Sequence, residues 1–184
     1  MDMGAKAEVY TRYPLSTVLI YNGVTILHFL LGGIGIFVGY KFSWIGYPLG
    51  SLYLLFSFLQ MYVIMPLTVC PNCVYHRTED SLCTSALNLV SRRIAKEGNP
   101  EYLANRARGV FCHNHLYMVA LFAPIAAMIP ALILNFSFLL LLIFLLVMGL
   151  LLFRFFVIFT KLACLHCGAK YECPNAEGMG VRNM

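Results

Sequence analysis

The chain has 184 residues, of which 60% are hydrophobic and only 11% charged, and it carries a formal net charge of +5. A mean hydropathy of +0.77 excludes an ordinary soluble domain, in which about a quarter of residues are charged. The positive balance is poor evidence for a nucleic-acid partner, because a basic face suits an anionic lipid surface equally well.

A polar segment, residues 1–16, holds Asp2, Lys6, Glu8 and Arg12 and precedes the first apolar run, Thr17–Val38. A helix needs about 20 mostly apolar residues to cross roughly 30 Å of hydrocarbon, and this run meets that length. It lacks a small-residue cleavage site before Lys41, so it is read as a permanent span rather than a signal peptide. Tyr47–Leu67 supplies a second span, and His115–Leu134 and Phe136–Thr160 supply two more. Only Asn135–Ser137 separates the last two, which must fold back because a single unbroken helix would be about twice as long as the bilayer is thick. The expected fold is an all-α integral membrane protein whose four transmembrane helices form two tandem hairpins, 17–69 and 115–163. A cysteine-rich cytoplasmic cap, made of loop 70–114 and tail 164–184, completes it.

Charge placement orients this arrangement. Of the 13 lysines and arginines, only Lys41 falls on the opposite side and only Arg154 within a span. The positive-inside rule therefore places both termini, the middle loop and all seven cysteines in the cytoplasm of a cell with an inner or cytoplasmic membrane.

Within the loop, "LCTSALNLVSRRIAKEG" repeats apolar residues at Leu87, Val90 and Ile94, widened by Leu82, Ala86 and Leu89. This predicts an amphipathic helix with Arg92, Arg93 and Lys96 towards its C-terminal end and a stop at Gly98 and Pro100. It either lies in the headgroup layer or packs across the mouth of the bundle. "PEYLANRARG" predicts a further short helical turn, and the tail beyond Pro174 has little apolar content.

The two halves correspond. A shift of 94 residues places Cys70 on Cys164, Cys73 on Cys167, and Gln60 on Arg154, without a gap over about sixty residues. Each half thus ends a span on a Cys-x-x-Cys pair, as expected of a duplicated hairpin with a pseudo-twofold axis along the membrane normal.

Seven cysteines in a reducing compartment argue against structural disulfides and for metal ligation. Cys-x-x-Cys suits a metal because one turn of backbone aims both sulfurs at a common centre and leaves amide N–H groups free to bond them. Gly168 and Pro71 fit such turns. In one partition, Cys70, Cys73, Cys164 and Cys167 share a site, and Cys83, Cys112 and Cys173 join His113 or His115 at another. The alternative keeps Cys70, Cys73, Cys83 and Cys112 together, with Cys164, Cys167, Cys173 and a histidine apart. Symmetry favours the first. Zinc, iron or an iron–sulfur cluster would each suit these ligands.

Three polar side chains interrupt the spans at similar depth: Asn22, Gln60 and Arg154. With His28 nearer mid-bilayer, they define a candidate pocket for a quinone headgroup or lipid phosphate. The plainer expectation is that Arg154 snorkels to headgroups. Haem is disfavoured, because no second histidine faces His28.

Three functions follow in order of preference. The first is a membrane subunit with a cysteine-ligated metal centre that anchors, or carries electrons within, a redox complex near the quinone pool, with other protein subunits as partners. The second is a zinc-stabilised scaffold or assembly protein without catalysis. The third is a thiol–disulfide oxidoreductase, disfavoured because such chemistry belongs to the oxidising side of a membrane. The sequence holds no nucleotide-binding loop, no HExxH and no paired carboxylates in the spans, so catalysis by this chain alone is not expected.

Overall fold

A computed structural model describes residues 7–41, 43–99, 113–171, 173, 176–177 and 179–182, with backbone alone at 113 and 114. Among these residues the chain is helical, and its only β-type pairings are two isolated bridges, Tyr10 with Cys167 and Arg12 with Leu82. Four helices are long and apolar enough to cross a membrane: Leu15–Gly39 (α1), Gly46–Asn72 (α2), His115–Leu134 within α5 (His113–Leu134), and Phe138–Ala163 (α6). Two short helices, Val74–Arg77 (α3) and Leu87–Ile94 (α4), lie in the segment that follows α2.

Each boundary has a local cause. Pro14 precedes α1 in an extended conformation, where its missing N–H costs nothing. Asn135–Ser137 breaks α5 from α6, with Asn135 N–H closing on Ala131 and Ser137 accepting from Leu141. The sequence expectation of a turn there agrees with the structure. Between α1 and α2 the chain passes Lys41, at a positive φ of 51°, and Trp44, which is 97% exposed.

Helix α1 packs against α2, α5 and α6. Small residues make this contact close. A Cβ on Gly32 would lie 2.8 Å from Pro124 and from the Tyr53 hydroxyl, and one on Gly35 would lie 2.3 Å from the Met128 sulfur. In hydrocarbon, where no hydrophobic force joins helices, such close approach supplies the dispersion energy that does. Apolar side chains elsewhere face outward, among them Ile133 and Phe138 at 78% and 81% exposed.

The 94-residue correspondence extends to the backbone. Helix α2 widens into π winding at Gln60–Ile64 and α6 does so at Arg154–Ala163, so both departures begin at matched positions. In α2 the cause is Pro66, which offers no N–H to the Tyr62 carbonyl and crowds it, and a wider turn relieves both problems.

Helix α4 is shorter than the stretch expected. It spans only Leu87–Ile94, preceded by Ala86 in the left-handed region. Its buried face is Leu87, Asn88 and Ser91, while Leu89, Val90 and Ile94 are 45%, 44% and 52% exposed. The polar side is drawn inward because it satisfies loop carbonyls that would otherwise lack partners. Asn88 donates to Ser81 O at 2.9 Å, and Arg92 donates to His76 O at 2.9 Å and Tyr75 O at 2.6 Å. Beyond α4 the chain returns over the first cysteine pair, with Gly98 N–H donating to Pro71 O at 3.0 Å. The short helix expected in "PEYLANRARG" lies outside the described residues.

Candidate metal centre at the helix ends

Both Cys-x-x-Cys segments fold as the same turn. Cys73 N–H closes on Cys70 O at 3.0 Å, and Cys167 N–H on Cys164 O at 3.3 Å.

The two turns also divide their cysteines alike. The first of each pair, Cys70 and Cys164, packs against the main helical core. The second of each, Cys73 and Cys167, packs with Cys83 against a separate cluster of Tyr13, Val18 and Tyr75. Cys73, Cys83 and Cys167, from distant parts of the chain, therefore border one cluster.

What draws them together is a strap ahead of α1, a feature the sequence reading left unassigned. Tyr10 N–H donates to His166 O at 2.9 Å and Tyr13 N–H to Leu82 O at 2.9 Å, so residues 10–13 touch both cysteine segments. The Tyr13 hydroxyl donates to Ala163 O, the last residue of α6. His166 donates Nδ1–H to Glu8 O at 2.7 Å and stacks on Tyr10 with ring centroids 4.4 Å apart. Tyr75 completes the tie by accepting the Gly168 N–H at 2.9 Å. The run of tyrosines at 10, 13 and 75 was the available sequence signal.

All six described cysteines are free thiols, and no three His, Cys, Asp or Glu side chains among the described residues are already placed to hold a metal ion. Burial pushes the Cys73 thiol up to about 11 and the Cys164 thiol up to about 12, and it raises Cys167 too, with neighbouring thiols adding to the effect. Each is therefore a poor nucleophile unless a cation draws off its proton. Of the histidines proposed as ligands, His115 is exposed, while Cys112 and the His113 side chain lie outside the described residues. His76, three residues past Cys73, was not singled out from sequence, yet its Nε2 is buried with no hydrogen-bond partner. Its Cys-x-x-Cys-x-x-His spacing was the signal that pointed to it.

The polar residues of the helices are placed differently from expectation in one respect. Arg154 does not snorkel: it is 0% exposed, inside the bundle. Its guanidinium donates to the Tyr117 and Thr25 hydroxyls and lies 5.6, 5.7 and 5.9 Å from the ring centroids of Tyr21, Tyr117 and Phe159. The physical reason is that two hydroxyls and three aromatic faces together solvate a cation well enough to keep it from the headgroups. His28 is also fully buried and donates Nε2–H to Leu121 O at 3.0 Å. Gln60 is fully buried, and Asn22 bonds outward to Ser85 O at 3.1 Å in the cysteine-bearing loop. His28 and Arg154 are both enclosed within the helix bundle. A second buried cation, Lys170, donates to Leu165 O at 3.0 Å within the second cysteine turn.

These features define a class, an all-helical protein with four helices fit to cross a membrane and a thiol cluster beside their ends. No family model matches the chain, and neither the curated proteins nor the solved structures give a match.

Proposed function

We propose that the chain is an integral membrane component that binds a metal ion or iron–sulfur cluster through cysteines at the cytoplasmic face. Its role is that of an anchor or electron carrier within a membrane redox complex near the quinone pool. In this reading the helices form two tandem hairpins related by a pseudo-twofold axis, and the strap, the loop and the tail form a cysteine-rich cap. The exposed face of α4, with Leu89, Val90 and Ile94 beside Arg93, rests in the headgroup layer, and other subunits cover part of the remaining surface.

One observation carries the proposal: the two Cys-x-x-Cys turns, 94 residues apart in the sequence, close on the same backbone hydrogen bond, and their second cysteines, Cys73 and Cys167, pack against one cluster together with Cys83. The most symmetric ligand set is Cys70, Cys73, Cys164 and Cys167. The polar core around Arg154 and His28 is where a quinone carbonyl would find donors.

A second reading, a zinc-stabilised scaffold, is favoured by how tightly the strap stitches the turns, which suits a structural site. Metal analysis and a visible spectrum of the detergent-purified protein decide between them. Iron with absorption that bleaches on reduction supports electron transfer, and colourless stoichiometric zinc supports the scaffold. A protein that holds neither metal when purified under reducing, oxygen-free conditions overturns both.

A further inference from the structure

We propose that the groove between the end of α2 and the chain leaving α4 binds an anionic phospholipid, its phosphate at Lys96 and its acyl chain along Leu67; this rests on the reading that α4 lies in the headgroup layer and needs no metal. The residues after α4 form one wall. Ala95 N–H donates to Ser91 O at 2.8 Å, and Gly98 N–H then donates to Pro71 O at 3.0 Å. That approach requires glycine, since a Cβ on Gly98 would lie 2.2 Å from Asn72 Oδ1. Leu67, Pro71 and Asn72 form the facing wall, and an open groove of about 480 Å³ separates them from Ala95 and Lys96. A volume of that order falls in the range of small-ligand sites.

Charge selects the occupant. Arg77 takes up the acid of this segment, pairing through Nε with the Glu97 carboxylate at 2.9 Å and donating to Gly98 O at 2.5 Å. The other ion pair among the described residues joins Arg182 to Glu177. Arg93 and Lys96, both exposed, therefore have no acidic partner among the described residues. A phosphodiester supplies the missing anion, and each lysine or arginine near an anionic lipid surface strengthens binding about fivefold.

Position selects a lipid over a water-soluble anion. Helix α4 packs against the last turn of α2, Met65–Thr68, and α2 is one of the four helices fit to cross a membrane. Leu67 is 46% exposed there, and Leu89, Val90 and Ile94 are exposed on α4. Spacings of three and four residues put Arg93 on the same exposed face as those three. An apolar face that carries a basic residue, set at the end of a spanning helix, lies where acyl chains meet headgroups. A free phosphate would use Lys96 and leave the apolar wall in water.

The test uses the full chain reconstituted in mixed vesicles of phosphatidylcholine and phosphatidylglycerol. Trp44→Phe removes the one tryptophan, and Ile94→Trp places a fluorophore beside the groove. One lipid or the other is brominated near the top of its acyl chains, so quenching reports which is enriched at that position. This reporter chain is expected to prefer phosphatidylglycerol roughly twentyfold, about fivefold for each of the two basic side chains. Lys96→Gln and Arg93→Gln are each expected to lower the preference about fivefold at unchanged helix content. Lys41→Gln, at the other end of α1, is expected to leave it unchanged. Should the Ile94→Trp chain not fold, Val90→Trp carries the same readout. A preference that survives Lys96→Gln, or that falls as far with Lys41→Gln, overturns the site. Equal quenching by the two lipids also overturns it, while α4 keeps its place in the headgroup layer. Absence of quenching by either lipid overturns that placement together with the site.

Discussion

The phenol of Tyr75 accepts the Gly168 N–H at 2.9 Å and donates to the Tyr10 carbonyl at 2.6 Å, joining the two cysteine turns and the strap through one side chain. Tyr75→Phe removes both bonds and keeps the ring in its cluster with Tyr13. A net hydrogen bond is worth about 0.5–1.5 kcal/mol, so the expected loss is about 1–3 kcal/mol. Thermal unfolding in detergent checks the loss. An unchanged midpoint would show that the ring alone holds the turns together.

Metal removal should loosen the same region before the long helices yield. Chelation is expected to lower the thermal midpoint and to open the turns to proteolysis, while far-ultraviolet circular dichroism keeps most of its helical signal. Cys73→Ser and Cys167→Ser should reduce metal content equally, since the turns are equivalent. Loss in only one variant would mean that the halves serve different sites.

Thiol reactivity in metal-free protein should rise late with pH. The ordinary thiol value is 9.0, and burial moves Cys73 to about 11. A raised value keeps the thiol protonated, so below pH 9 the thiolate fraction at Cys73 is about a hundredfold lower than for an exposed cysteine. Alkylation followed by mass spectrometry across pH 7–10 should show Cys73 and Cys164 lagging. Rapid labelling at pH 7 would point to activated, redox-type thiols instead.

Sidedness gives a fourth expectation. A membrane-impermeant thiol reagent should label none of the cysteines in intact cells and should label them after permeabilisation and metal removal. Labelling from outside would reverse the proposed orientation and revive disulfide chemistry.

Arg92→Ala tests the inward polar face of α4. Its guanidinium satisfies the carbonyls of His76 and Tyr75, and losing bonds from a charged donor costs about 1.5–3 kcal/mol. The expected outcome is a cap that unfolds earlier on heating, read by proteolysis between residues 75 and 94. An equally resistant cap would move Arg92 to a surface role.

Much of this was legible in the residue order. Four long apolar runs, the break at Asn135–Ser137 and the paired cysteines 94 residues apart are local or periodic signals, set by helix rise, bilayer thickness and backbone turn chemistry. Apolar periodicity located α4 but not its inward face, where Asn88 and Arg92 turn in to satisfy loop carbonyls. Only tertiary contact could show that Arg154 is enclosed, because its two hydroxyls come from α1 and α5, some 129 and 37 residues away. Likewise, only the folded chain could show that the tyrosines of residues 10 and 13 bind the cysteine turns, since hydrogen bonds across about 150 residues leave no pattern in the sequence.

The sequence alone determined which segments leave water and which atoms could hold a metal, since both depend on residue type and spacing. Which side chains enclose Arg154, and which segments tie the two cysteine turns together, was settled by packing, because hydrogen-bond partners are fixed by distance in space.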